Sequence, residues 1–245
     1  MTRQVGASVR RVIRLPGWAA AVAVAFLLGA TIGPLAASAG PASSGHGNRQ
    51  APGAPHGHFR LDHIFVIMME NTQYEALLAP SNPNTKFIQQ LAANFGLATH
   101  YFGVTHTSLP NYIAATSGQT WGSNNDDYAQ APLFNHENLV DQFEAAHVSW
   151  KAYMQNLPYP GDVIDQTPNG LYVRKHDPFL MYPDVYTNPS RADNVVPLTQ
   201  LATDLSTGQV PQFAWISPNI CDDMHGGATA CPFPSSPKSP AQAKL

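Results

Sequence analysis

The sequence predicts an α/β fold, a three-layer α/β/α sandwich on a mostly parallel sheet, from three observations. Short runs in which nearly every residue is apolar, such as 63–69 (HIFVIMM), suit strands covered on both faces. Other segments carry apolar residues at helical spacing. The two kinds alternate along the chain, which implies right-handed crossovers between parallel strands. Composition allows the core this needs. Of 245 residues, 44% are hydrophobic and only 12% charged, against roughly a quarter charged in an average soluble protein.

Residues 1–39 read as an address. A basic start (Arg3, Arg10, Arg11, Arg14), an apolar stretch from Trp18 to about Ala30 and the small residues Ala37-Ser38-Ala39 make a secretory signal peptide cut after Ala39. The apolar run is shorter than the roughly 20 residues that span a bilayer, and Gly29, Gly33 and Pro34 interrupt it, so no stable membrane span is expected after cleavage. The Arg10-Arg11 pair allows twin-arginine export, but Arg14 breaks the hydrophobic follow-on and the general secretory route is the expectation. Residues 40–58 hold Gly, Ser, Pro, Ala and His with almost no large apolar side chain, a flexible linker in which His46, His56 and His58 are solvated spacers.

The folded part, 59–231, begins with the strand 63–69, which ends in Glu70-Asn71. Residues 85–95 form a helix by the spacing of Phe87, Ile88, Leu91, Ala92 and Phe95, stopped by Gly96. A short strand at 99–102 follows, then the segment 105–111 leads into a helix at 112–116. A second amphipathic helix covers 138–146, with Leu139, Val140, Phe143 and Ala146 on one face. Residues 148–153 and 212–216 are strands and 198–205 a helix; 232–245 lack periodicity and read as a disordered tail. Basic residues number 13, but the four above fall where there is no acid, leaving 9 against 16 acidic residues, a net −7. Nucleic-acid binding is excluded by that balance, since phosphate backbones are held by Lys/Arg clusters.

In an open α/β sheet ligands sit beyond the carboxyl ends of the strands, and three polar clusters fall there. Glu70 and Asn71 offer hard oxygen donors for a divalent cation, or a helix cap. Ser108, at a strand-to-helix turn with Pro110 in the first turn, is a nucleophile beside helix amides or simply an N-cap; no Gly-x-Ser-x-Gly elbow surrounds it. Asp222-Asp223-Met224-His225 places two carboxylates and an imidazole beside Cys221 and Cys231. These cysteines pair as a disulfide outside the cytoplasm, with a mixed metal site including His225 as the alternative. Lys175-His176-Asp177 adds a further His/Asp pair among aromatics. His63 and His147 read as structural.

Taken together, 63–71 (HIFVIMMEN), 107–118 (TSLPNYIAATSG), 149–154 (SWKAYM), 175–179 (KHDPF) and 211–225 (PQFAWISPNICDDMH) resemble, in order, the phosphoesterase family of bacterial acid phosphatases and phospholipases C, in the alkaline-phosphatase-like superfamily. The resemblance implies an α/β/α sandwich that hydrolyses phosphate monoesters or diesters with a bound divalent metal. It implies Glu70, Asn71, Ser108 and Asp223 as ligands of a divalent metal, and Ser108 as nucleophile. His176 would contact the phosphate or protonate the leaving group, with His106 a neighbour of the phosphate; Asn111, Lys175, Asp177 and His225 would line the substrate site. Asp177 stands where such motifs often carry Asn. Family members continue into a further acidic motif, so the domain is expected to be incomplete, which leaves an inactive fragment with residual phosphate or metal binding as the alternative to an enzyme. A phosphatase is favoured over a phospholipase C or another phosphodiesterase because no exposed apolar helix is evident.

Overall fold

The computed structural model describes the backbone of Ala20–Phe26 and residues 61–228, 230 and 231. The linker and tail therefore lie outside the described residues, as does all of the leader except that strand. Its five-stranded sheet combines β1 (Ala20–Phe26), β2 (His63–Met69), β3 (Trp150–Met154), β4 (Val195–Pro197) and β5 (Phe213–Ser217) in the order β1-β2-β5-β3-β4. Every pairing is parallel. The fold is α/β, as the alternation predicts. β5 is buried along its whole length because it lies between β2 and β3, which explains its unbroken apolar run.

The helices are α1 (Tyr74–Leu78), α2 (Lys86–Asn94), α3 (Ser108–Ser117), α4 (Leu139–Ala145), α5 (Pro183–Tyr186), α6 (Pro189–Ala192) and α7 (Thr199–Thr207). On one face of the sheet Leu109, Tyr112 and Ile113 of α3 and Val140 of α4 pack with Trp150, Phe213 and Trp215 in the larger core. On the other, Leu198 and Leu201 cover Tyr153, Val196, Ala214 and Ile216. α4 starts at a capping box in which Asn138 and Asp141 satisfy each other's backbone donors.

Four differences from the sequence-based expectations bear on function. Residues 99–102 form no strand: Tyr101 and Phe102 are exposed, and no neighbouring strand offers them an edge. α3 begins at Ser108 rather than Tyr112, because Pro110 falls in the first turn, where a missing N–H breaks no helical bond. Ser108 is thus the first helical residue, and Thr107 is the cap position. α2 buries none of its residues: Phe87 and Phe95 are 70% and 85% exposed, and Leu97, Tyr101, Phe102 and Val104 extend that apolar surface. An exposed apolar helix is therefore present, which removes the ground for setting a lipid substrate aside. Finally, Ala20–Phe26, inside the expected export signal, runs as a strand parallel to β2. Among the described residues no helix is long and apolar enough to cross a membrane.

Candidate active site

β2 ends at Met69, and the next residue, Glu70, is buried at the carboxyl edge of the sheet. Its backbone N–H donates to the Asp223 carbonyl at 2.6 Å, tying the end of β2 to the loop after β5. That loop is launched by Asn219, whose Oδ1 accepts from the N–H groups of Cys221 and Asp222. The Cys221–Cys231 disulfide closes it. Asn71 and Met224 are both in the left-handed backbone region, with φ of 46° and 78°, flanking Glu70 and Asp223. Such conformations in residues other than glycine concentrate where a site fixes the chain.

His176 lies between the two carboxylates. Its Nε2 is 3.1 Å from Glu70 Oε1 and its Nδ1 3.0 Å from Asp223 Oδ2. The ring stacks on Tyr112 of α3, with centroids 5.1 Å apart and planes 8° from parallel. Ser217 at the end of β5 donates to the His176 carbonyl at 2.7 Å and accepts from the Trp215 indole. The Ser108 hydroxyl lies within hydrogen-bonding reach of Glu70. Helix, strand end and two loops thereby converge on one cluster.

Burial works against charge at both members of the ion pair, and charge wins. Desolvation lowers the His176 imidazole, but facing Glu70 and Asp223 lift it to about 9. Desolvation raises Glu70, but the His176 charge and the hydrogen bond from Ser108 hold it at about 2. The separations are those of ion pairs, yet the ring N–H directions miss the oxygens. Both ring nitrogens, Glu70 Oε1 and Asp223 Oδ2 are buried without a well-directed hydrogen bond.

Orphaned carboxylate and imidazole atoms gathered in one place fit a divalent cation. Glu70, His176 and His225 each offer a ligand atom, all within 4.8 Å of one another. The His225 ring is oriented for ligation, because its Nδ1 is 2.8 Å from the Gly226 carbonyl, the contact that assigns the proton to Nδ1 and leaves Nε2 as donor. The cluster thus includes two histidines that the resemblance assigns to substrate contacts. A protonated His176 between two carboxylates neutralises the same charge that an ion would.

The other expected site residues divide. Lys175 is beside the cluster, with its Nζ 2.9 Å from Asp126. His106 is exposed on the loop before α3. Asn111 is buried, and all its bonds shape that loop: Oδ1 accepts from Val104 and Thr105 N–H, and Nδ2 donates to the Thr105 and Thr107 carbonyls. Asp177 has no exposed surface and accepts from the Tyr172 hydroxyl and Leu180 N–H. Sequence reasoning missed Tyr112, although it stands one turn after Ser108 on the same helical face, and Asp126, which carries no local signal.

The model of the Phosphoesterase family matches residues 80–231. The chain is 34% identical to an acid phosphatase of Aspergillus fumigatus over 170 residues, 67% of this chain and 37% of the relative. A phosphate-repressible acid phosphatase of Penicillium chrysogenum is 33% identical over 168 residues, 67% and 39% of the two chains. A phosphatidylinositol-3-phosphatase of Mycobacterium tuberculosis is 28% identical over 170 residues, 69% and 53%. The chain thus spans well under half the length of the fungal relatives.

Proposed function

Because the chain belongs to the phosphoesterase family, we propose that it is an exported, metal-dependent hydrolase of phosphate monoesters with Ser108 as nucleophile. The observation that carries this reading is the convergence of Ser108, Glu70, His176 and Asp223 at the carboxyl edge of the sheet.

Glu70, Asn71, Ser108 and Asp223 would hold the cation, with His225 Nε2 as a further donor. A bound divalent ion neutralises charge on the phosphoryl group and favours the ionised hydroxyl. Glu70 orients the Ser108 hydroxyl, whose proton passes to solvent. Ser108 Oγ bonds to phosphorus as the ester P–O bond breaks, and the leaving oxygen takes a proton from His176. Water then cleaves the phosphoserine and frees inorganic phosphate. A lipid phosphate monoester is a second substrate reading, favoured by the apolar surface over α2 and residues 97–104 and by the relative named for a phosphoinositide.

Residues 1–39 act as the export signal in this reading; cleavage after Ala39 removes β1 and makes β2 the edge strand.

The test expresses the full chain in a bacterial host, sequences the N-terminus of the purified protein, and measures p-nitrophenol release from p-nitrophenyl phosphate and from its bis-ester. A protein beginning at Gly40 with monoester turnover that chelator removes is expected, and Ser108→Ala should lose roughly a thousandfold or more in kcat. A folded protein without turnover refutes the enzyme. An active Ser108→Ala variant removes the nucleophile, and an N-terminus at Met1 removes the export signal.

A further inference from the structure

The loop after α3 carries a carboxylate that the reaction above does not use. Asp126 Oδ1 accepts from the backbone N–H of Leu109 at 2.9 Å. Its Oδ2 lies 2.9 Å from Lys175 Nζ. Leu109 directly follows Ser108, and Lys175 directly precedes His176 in the 3-10 turn Arg174–His176. One side chain therefore grips the residue after the nucleophile and the residue before the imidazole. Tyr128 braces the same turn, with the Arg174 guanidinium 5.2 Å over its ring.

We propose that Asp126 is a positioning residue: it clamps the first turn of α3 to the Arg174–His176 turn and so sets the spacing of Ser108 and His176. The proposal rests on the phosphoesterase reading and deepens it. A carboxylate is suited to this post, because it accepts from a helix N-terminal amide and pairs with an ammonium at once. The Asp126 side chain is 32% exposed, so solvent screens the ion pair and its contribution to stability is small. Its contribution is geometric. A misplacement of about 1 Å at reacting groups lowers rates by as much as a hundredfold. The same geometry gives Lys175 a partner other than substrate, with its ammonium held by Asp126 rather than free for phosphate.

Kinetics of the full chain with p-nitrophenyl phosphate separate the two roles of Lys175. Asp126→Asn and Lys175→Met should each lower kcat roughly ten- to a hundredfold, with KM within about threefold of wild type and an unchanged melting temperature. The double variant should be hardly worse than either single one, because both remove the same link. Lys175→Arg, which keeps the ion pair, should recover much of the rate. Wild-type kcat in Asp126→Asn, or a raised KM with intact kcat in Lys175→Met, overturns the clamp. If wild type itself shows no turnover, the phosphoesterase reading falls separately, and hydrogen exchange still decides. Asp126→Asn should speed exchange in 108–112 and in 174–177 together; unchanged exchange in either segment overturns the proposal.

Discussion

Asp177 shows how one side chain can couple stability to pH. With no exposed surface, its carboxyl is pushed by burial up to about 7, and the Tyr172 hydroxyl and Leu180 N–H only partly offset this. The fold prefers the neutral acid, so its stabilising contribution is complete below the ordinary value of 3.8 and is lost as pH rises through about 7. Asp177→Asn, which has no charge to develop, should abolish that dependence. Melting temperatures from about pH 4 to about pH 8 measure it: wild type should fall relative to the variant, whereas parallel curves would mean that the buried carboxyl ionises as easily folded as unfolded. The same residue marks a boundary of sequence reasoning. A His-Asp pair in a loop invites a catalytic role, and only the fold shows Asp177 enclosed next to His176, bonded to its own neighbours.

α3 and the loop before it form the element on which the nucleophile depends. Asn111 holds residues 104–107 through both ends of its amide, so Asn111→Ala should destabilise the protein by about 1–3 kcal/mol, as expected when buried backbone groups lose their partner. It should also lower turnover, since Ser108 adjoins that loop. Urea unfolding together with the phosphatase assay tests this; wild-type values in both would show the loop holds its shape without Asn111. Strands β2, β3 and β5 and helices α4 and α7 were legible because buried runs and helical periodicity follow from burial, whereas α2 carries the same periodicity without burying any residue. β4 has three residues, too few for a pattern, and the short turns between 174 and 192 are set by tertiary packing. Glu70, Ser108, His176 and Asp223 were legible as candidates from their motifs. Their meeting was not, because His176 reaches Glu70 only through a loop whose course depends on Ser217 and Tyr112.

At the scale of the whole molecule, the sheet has helices on both faces, yet α2 and residues 95–104 leave their aromatic side chains in solvent. An apolar area of this kind is sticky. Native protein at neutral pH should therefore enhance anilinonaphthalene sulfonate fluorescence. Phe87→Ser with Phe95→Ser should reduce that signal markedly, while changing stability by about 0.5 kcal/mol or less, as exposed positions do. Equal dye binding by the double variant would place the sticky surface elsewhere. The strand order has a consequence for how the chain is made. β5, the last of the described strands in sequence, sits between β2 and β3. A ribosome delivers the flanking strands first, and they wait with open edges until the middle one emerges. Folding cannot proceed from front to back; it is a late insertion, with slow long-range pairing and exposed edges meanwhile. The segment that fills the gap between β2 and β3 also delivers Asp223 and His225, so a nascent chain that stops short of it lacks both the middle strand and those two side chains.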